Sequence, residues 1–483
     1  MKRRNFLRHT ACLAASSAAF TALSAKFNLA HAANRVLLGG EEYRALVCVF
    51  LYGGNDSFNM VVPYDQSPYN TYAATRGSVA VPRNQLLTLT PTANGAAYGL
   101  HPAMPELRAL FNQANSPLAM VANVGPLLHP ITKAQYDAGS VATPPQLFSH
   151  EDQSTYWSTP TANTIDRNGW GGLLADEFTG QNQNQTLAMT ISTDGENVFQ
   201  AGNNVVPYFL PPWGVETIGA ITPSWSEPTN RRNAFNQLLA GPLDHPLERA
   251  YRDGFNRTVS NYTQMQAALS SAAVTQYETT FNNLFAPGGA EVDYLGNQLR
   301  MIARVIAARS VLQMTRQVFF VGIGGFDNHA DLLTAHPTLL SSISRNLNAF
   351  YYALGAMNVQ NNVVTFTASE FGRTLSNNGE GTDHGWGGHH LVLGGGALTG
   401  GPVRGGRFYG LFPSLAASAS NPDDAGWGQI IPTTSVDQYA WTLARWYGLP
   451  DGAAGRDLIF PNATRFTDRT PSGTGQPHLG FLG

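Results

Sequence analysis

Acidic residues and histidines gather in two short stretches in the second half of the sequence. Asp327 and His329 stand two positions apart, Asp383 is followed at once by His384, and Glu370 lies between the two pairs. Mixed sets of carboxylates and imidazoles suit zinc, manganese or iron better than calcium. These residue types therefore predict a site for one or two divalent metal ions, with zinc as the first choice and manganese or iron as alternatives.

A second histidine pair, His389 and His390, follows in a glycine-flanked segment. Adjacent residues on a strand point to opposite faces, so at most one of them is expected to bind metal; we include His390 among the candidates. Some of the candidate ligands could instead have purely structural roles. Asp327 could hold a turn through an Asx hydrogen bond, and Glu370 could be a carboxylate favoured by a helix dipole.

Apolar runs of strand length precede most of these polar residues. Because buried strands alternate with helical patterns, the sequence predicts an α/β fold: a central, mostly parallel sheet with helices on both faces. Ligands of such sheets bind beyond the carboxyl ends of the strands. Asp56, Asp327 and Glu370 each follow a run, so we expect them to share one site, although Asp56 could instead cap a helix. The runs are residues 45–51, 118–125, 318–323, 362–367 and 391–396, and helical patterns cover 100–111, 246–270, 290–313 and 339–354.

Residues 176–235 differ from the rest of the chain. They are rich in Gln and Asn, contain Pro211-Pro212 and lack a clean periodicity. We interpret them as an insertion or a cap over the core. By length alone the chain could hold two or three domains, or one large α/β domain with insertions.

The N-terminal residues predict export. Arg3-Arg4 precede an alanine-rich apolar stretch at 13–23, and Ala30-His31-Ala32 offers small residues where a signal peptidase cleaves. The pattern indicates a signal peptide at 1–32 that uses the twin-arginine export machinery. An N-terminal membrane anchor is the alternative, but the stretch is too short for roughly 30 Å of hydrocarbon. We expect a periplasmic or secreted mature protein without a stable membrane span.

Composition narrows the choice of partners and ligands. Charged residues make up 13 % of the chain, against roughly 25 % in an average domain. With a net charge of −3 and no basic stripe, nucleic acid is not expected as a partner. Only Cys12 and Cys48 are present, and Cys12 would leave with the signal peptide. No internal disulfide is then possible, and His, Asp and Glu must hold any metal.

Five motifs together resemble those of one family. They are residues 52–57 (YGGNDS), 149–153 (SHEDQ), 325–329 (GFDNH), 369–374 (SEFGRT) and 381–390 (GTDHGWGGHH). From about residue 44 to the end, the chain resembles the DUF1501 proteins. These are bacterial, commonly twin-arginine-exported proteins of undefined activity, related to the alkaline phosphatase and sulfatase superfamily. The resemblance implies a single domain over 40–483 and a two-metal site at the carboxyl edge of its sheet.

The resemblance also implies roles for particular residues. Asp56 resembles the first-strand aspartate that binds one ion, and Asp327 with His329 resembles the Asp and His of the other ion's site. His384 or His390 would be the late histidine that closes the site. One position departs from the pattern: Phe371 follows Glu370 where the superfamily often has a histidine after an aspartate. Asp383 and His384 would have to substitute for that missing ligand.

Two residues are candidates for catalytic roles. Ser149 follows Leu147-Phe148 and is the first candidate for the nucleophile, with Ser57 or a water molecule as alternatives. A serine needs a metal or a base to attack. Arg373 could bind an anionic substrate oxygen in a bidentate manner or form a structural ion pair.

These observations favour an enzyme: an exported metal-dependent hydrolase of phosphate or sulfate esters, acting on a small-molecule or glycan ester. The competing class is a non-catalytic exported protein for binding or envelope assembly that keeps the fold with a degenerate metal site. Phe371 in place of a ligand histidine favours that class. Residue types alone also permit an iron oxidoreductase, although no Gly-x-Gly-x-x-Gly motif follows the first strand.

Overall fold

The computed structural model describes residues 42–90, 95–161, 167–216, 228–241, 244–416, 421–467 and 474–483. The predicted signal peptide at 1–32 lies outside these residues. Of the helices in the described ranges, none combines the length and the apolar character needed to cross a membrane.

Nine strands form the central sheet, in the order β13-β5-β12-β9-β1-β8-β6-β7 with β14 also paired to β5. Neighbouring strands are parallel except around β12, which is antiparallel to both β5 and β9. The mostly parallel sheet that the sequence predicts is confirmed. The strands are β1 (Arg44–Leu51), β2 (Val61–Pro63), β3 (Leu87–Thr88), β4 (Tyr98–Leu100), β5 (Leu118–Gly125), β6 (Thr190–Ser192), β7 (Tyr208–Phe209), β8 (Arg316–Ile323), β9 (Val363–Ala368), β10 (Arg373–Asn377), β11 (Thr382–His384), β12 (Gly388–Leu393), β13 (Phe408–Tyr409) and β14 (Thr434–Ser435).

Both faces of the sheet are covered. Every residue of β1 from Ala45 to Leu51 is buried, as expected for a parallel strand packed on both sides. The aromatic side chains of Trp170 and Tyr439, from two of the covering helices, contact Phe366 of β9. The α-helices are α1 (Ser57–Met60), α2 (Gln66–Arg76), α3 (Pro105–Phe111), α4 (Lys133–Asp137), α5 (His150–Ser158), α6 (Trp170–Phe178), α7 (Pro228–Ala240), α8 (Pro246–Leu269), α9 (Ala272–Thr275), α10 (Glu278–Phe285), α11 (Tyr294–Ala307), α12 (Leu332–Ala356), α13 (Val436–Tyr447) and α14 (Arg456–Ile459).

The first four predicted strands match β1, β5, β8 and β9 to within two residues at each end. The fifth differs, because β12 ends at Leu393 and begins at Gly388, so that the histidine pair lies inside the strand. The segment 176–235, predicted to be an insertion or a cap, contributes two strands to the central sheet. Its β6 and β7 extend the central sheet beyond β8. These strands have only three and two residues, too few to produce an apolar run in the sequence.

Three adjacent parallel strands end at one edge. In the register of the sheet, Leu51 at the end of β1 pairs with Ile323 of β8, and Phe50 pairs with Ala368 of β9. The polar segments that follow β1, β8 and β9 therefore leave the sheet side by side.

Candidate metal centre

The candidate site is assembled from four parts of the chain at this edge. The segment after β8 supplies Asp327 and His329, and Glu370 follows β9 directly. The antiparallel hairpin of β10 and β11 places Arg373 opposite His384. The fourth part is helix α5, whose first residue, His150, reaches the same place. Because each part lies in or directly after a strand or helix, these elements position the side chains.

Three imidazoles converge on the carboxylate of Asp327. Its Oδ1 lies 2.9 Å from His329 Nε2 and 3.3 Å from His384 Nε2. Its Oδ2 lies 3.5 Å from His150 Nε2. The two Nε2 atoms of His329 and His384 are 3.1 Å apart. The Nε2 atoms of three imidazoles thus lie within 3.5 Å of one carboxylate at the protein surface.

Two of these rings are held by their other nitrogen. His384 Nδ1 lies 2.7 Å from the carbonyl oxygen of Phe148, which can only accept a hydrogen bond. His150 Nδ1 lies 3.0 Å from Glu370 Oε1. With the proton on Nδ1, each ring keeps a lone pair on Nε2, directed at Asp327. Backbone carbonyls and carboxylates orient metal-binding histidines in this way.

A buried layer lies beneath the exposed imidazoles. The side chain of Glu370 is 2 % exposed, against 40 % for His150 and 47 % for His329. Glu370 Oε1 accepts a hydrogen bond of 2.7 Å from the amide of Gly53. Gly53 has a φ of +113°, and a Cβ atom there would lie 2.3 Å from the backbone nitrogen of Asp327. Only glycine permits this approach of the segments after β1 and β8.

Arg373 belongs to the buried layer. Its Nη1 donates to Asp327 Oδ1 at 2.6 Å and to the carbonyl oxygen of Gly53 at 3.1 Å. Its Nη2 and Nε donate to the backbone and side-chain oxygens of Thr382. Of the two roles expected for Arg373, the arrangement is that of the structural ion pair. The guanidinium positions Asp327, and its donors are engaged within the protein.

Electrostatics keep the cluster in a state that can bind a cation. Burial would raise the pKa of Asp327, but the hydrogen bond and the charge of Arg373 outweigh it, and the pKa is lowered. Burial lowers the pKa of His384, and the charge of Arg373 lowers it further. A carboxylate anion at Asp327 beside a neutral imidazole at His384 is the form in which these two groups bind metals.

Phe371 packs against two of the imidazoles. Its ring stacks on His384 with centroids 4.6 Å apart and contacts His150 at 4.9 Å. His150, which contacts this ring, was not among the ligands expected from the sequence. The signal for it was the second motif, in which His150 begins a helix immediately after Ser149.

Three predicted site residues lie outside this cluster. Asp56 caps α1 and forms a buried ion pair with Arg76. His390 is buried beside the ring of Trp157, with centroids 4.7 Å apart. Ser149 is the N-cap of α5, and its hydroxyl donates to Asp152 Oδ2 at 2.7 Å. Each is satisfied by neighbours other than the imidazoles.

Two overlapping groups of described residues could hold an ion. In each group, one ligand atom per residue lies within 4.8 Å of the others: His150, Asp327 and His384 form one, and His329, Asp383 and His384 the other. Asp383 is 78 % exposed, and its Oδ1 lies 3.7 Å from His329 Nδ1. His384 belongs to both groups, but its Nδ1 is engaged, so its Nε2 can serve one ion. The geometry thus favours a single ion over two.

A family model described as "Protein of unknown function (DUF1501)" matches residues 43–424 of the chain. No curated protein matches the chain.

Several solved structures are similar to the chain at low sequence identity. The C-terminal periplasmic domain of EcEptC from Escherichia coli, in complex with Zn, is 11 % identical with a TM-score of 0.37, over 92 % of this chain and 96 % of that one. The lipoteichoic acid synthase LtaP from Listeria monocytogenes is 9 % identical with a TM-score of 0.32, over 87 % and 74 %. The alkaline phosphatase PafA is 10 % identical with a TM-score of 0.24, over 70 % and 64 %. These scores are too low to transfer an activity.

Proposed function

The chain belongs to the DUF1501 family, and we propose that it is a metal-dependent hydrolase of phosphate or sulfate esters. The observation that carries this proposal is the convergence of the Nε2 atoms of His150, His329 and His384 on Asp327. A catalytic zinc ion binds three protein ligands and keeps one position for water or substrate. Asp327 with two of these imidazoles, open to solvent and held from the buried side, suits such an ion.

The donor atoms fit a zinc ion. Ligands 2.0–2.1 Å from a tetrahedral zinc lie about 3.3 Å from one another. The separations among Asp327 Oδ1 and the Nε2 atoms of His329 and His384 are 2.9, 3.1 and 3.3 Å. Manganese and iron accept the same donor types. When bound, the ion would supply Lewis-acid polarisation of the ester.

The residues of the chain favour water over serine as the nucleophile. Among the described residues, no serine or threonine hydroxyl forms a hydrogen bond to His150, Asp327, His329 or His384. Ser149 donates to Asp152 instead, and Ser57 is buried, accepting a hydrogen bond from the amide of His389. Asp383 is the most exposed carboxylate of the group, and we propose its Oδ atoms as the acceptor of the proton of the attacking water.

We extend the proposal to the location of the protein. Arg3-Arg4 and the small residues at 30–32 would direct it through the twin-arginine machinery, and removal of 1–32 would release it into the periplasm or the medium. A glycan or small-molecule ester is then the expected substrate class.

A non-catalytic binding or assembly protein is the second candidate, and one specific observation favours it. Hydrolases of anionic esters commonly use a free guanidinium to hold the anion. Arg373, the arginine of this cluster, is fully buried and engaged with Asp327, Gly53 and Thr382. A bound ion would be the principal positive charge available to a substrate.

Metal content and hydrolysis test the proposal together. The purified mature protein should retain about one equivalent of zinc, manganese or iron, and should hydrolyse 4-nitrophenyl phosphate or 4-nitrophenyl sulfate. His150→Ala and His384→Ala should lose both properties, whereas His129→Ala, at an exposed histidine outside the cluster, should lose neither. A folded protein that takes up none of the three metals contradicts the metal centre. Metal binding without hydrolysis favours the second candidate.

A further inference from the structure

Trp427 is the most exposed large apolar side chain in the described part of the chain, at 85 %. Indole is among the largest apolar groups in proteins, and it is normally buried in a core or an interface. Its sequence neighbours Gly426 and Gly428 have no side chains, so the indole is the only side chain at this point of the turn.

The turn that carries Trp427 is firmly held. Asp424 Oδ1 accepts hydrogen bonds from the amides of Gly426 at 2.8 Å and Gly428 at 3.0 Å. Lys133 Nζ donates to the carbonyl oxygen of Asp424 at 2.7 Å. Trp427 itself has a φ of +57°, a conformation that non-glycine residues rarely adopt and that recurs at ligand-binding positions. The backbone that carries this ring is therefore held in a defined position.

The same turn is hydrogen-bonded to the hairpin of β10 and β11, which carries Arg373 and His384. The amide of Leu375, on the strand that begins with Arg373, donates to the carbonyl oxygen of Gly428 at 2.8 Å. The side chain of Gln429 donates to the carbonyl oxygen of His384 at 3.3 Å. Two residues span at most about 7 Å, so the Trp427 backbone stays within that distance of Gln429, which is itself bonded to the backbone of His384.

We propose that Trp427 stacks on the face of a sugar ring attached to the ester on which the metal centre acts. This inference rests on the proposed function. A lone indole gives one flat apolar surface, which matches the C–H face of a pyranose and leaves the sugar hydroxyls in water. An aryl or acyl group would instead require an enclosing apolar cavity. The cluster is open, and the cavities of 310–460 Å³ in the described structure are lined by neither Trp427 nor the cluster residues.

Equilibrium binding of oligosaccharides tests the stacking role. The probes are tetrasaccharides of glucose and N-acetylglucosamine in β-1,3 and β-1,4 linkage, each unmodified and 6-sulfated, titrated by calorimetry against the mature protein. At least one should bind, Trp427→Ala should weaken it roughly tenfold, and Trp427→Phe should retain most of the affinity. Trp213→Ala, at an exposed tryptophan elsewhere, should bind as the wild type does.

Measurement after removal of metal with a chelator separates this inference from the proposed function. Loss of hydrolysis with Trp427-dependent sugar binding intact would leave the stacking role in place even if the proposed reaction is wrong. The stacking role is overturned if no probe binds, or if Trp427→Ala binds as tightly as the wild type. It is also overturned if the variant instead abolishes self-association or binding to phospholipid vesicles, because Trp427 would then serve a second copy or a membrane surface.

Discussion

Two aspartates follow neighbouring strands of the same sheet and have opposite surroundings. Asp56, after β1, is sealed from solvent against Arg76, and both side chains are at most 1 % exposed. Asp327, after β8, is 43 % exposed and faces three imidazoles. Asp56 also has a histidine nearby, since His336 Nε2 lies 3.0 Å from the side-chain oxygen of Asn55. Residue types alone do not distinguish the two regions.

The difference lies in which lone pairs and charges are left without a partner. In the buried region the carboxylate and guanidinium neutralise each other, and further oxygens of the protein accept from Arg76. At the exposed region Arg373 neutralises Asp327 from the buried side, while His150 and His384, with the proton on Nδ1, direct Nε2 lone pairs at it. Of these two regions, only the exposed one offers lone pairs to a cation. Residues of the same types bind a metal only where their donor atoms are not already engaged.

The largest expected effect is on stability. Arg76→Met should lower the free energy of unfolding by about 3–5 kcal/mol, because it leaves the Asp56 carboxylate buried without its cation. His329→Ala, at a half-exposed ligand, should change it by only about 0.5 kcal/mol. Urea unfolding of the metal-free proteins measures both. A similar loss in the two variants would show that the exposed cluster is structural as well.

The second prediction concerns the support of the ligands. Glu370→Gln removes the carboxylate that orients His150 through Nδ1, and it should weaken zinc binding by about 10–100-fold. Glu151→Gln, an exposed carboxylate next to His150 in the sequence, is the matched control and should have little effect. Competition with a chromophoric chelator measures the affinities. Equal losses in both variants would mean that general charge, and not orientation, explains the effect.

The sequence was sufficient for the scaffold and for part of the site. Long apolar runs define β1, β5, β8 and β9, and the parallel arrangement follows from their alternation with helices, so Asp56, Asp327 and Glu370 were expected at one edge of the sheet. The partners of Asp56 and His150 could not be expected, because they depend on pairs 20 and 220 positions apart. Nor does periodicity reveal that β12 reverses direction and buries both His389 and His390.

The third prediction uses the pH dependence of the buried region. Burial lowers the pKa of His336 to about 3, below the value near 6.5 in the unfolded chain. Between these values the unfolded state binds more protons, so stability is complete above about pH 6.5 and falls as the pH drops through this window. The loss attributable to His336 approaches about 1.4 kcal/mol per pH unit.

His336→Gln, which retains a donor toward Asn55, should remove that part of the slope. Urea midpoints between about pH 7.5 and 4.5 report it, with His129→Gln as the exposed control. If the urea midpoint changes with pH equally in His336→Gln and wild type, burial does not lower the pKa of His336. The buried region would then not differ from the open cluster in this respect.

The smallest expected effect is the loss of stability in Ser149→Ala, a variant that also tests which group attacks the ester. Ser149 lies next to a proposed ligand in sequence but serves as the cap of α5, so Ser149→Ala should cost only about 1 kcal/mol of stability. Metal content and hydrolysis should be preserved, because its hydroxyl is directed at Asp152 and not at the imidazoles. Ser149→Asn, another good cap, should restore most of the stability. If Ser149→Ala instead abolishes turnover while metal and fold are retained, the serine attacks the ester, and the proposal of water as the nucleophile is wrong.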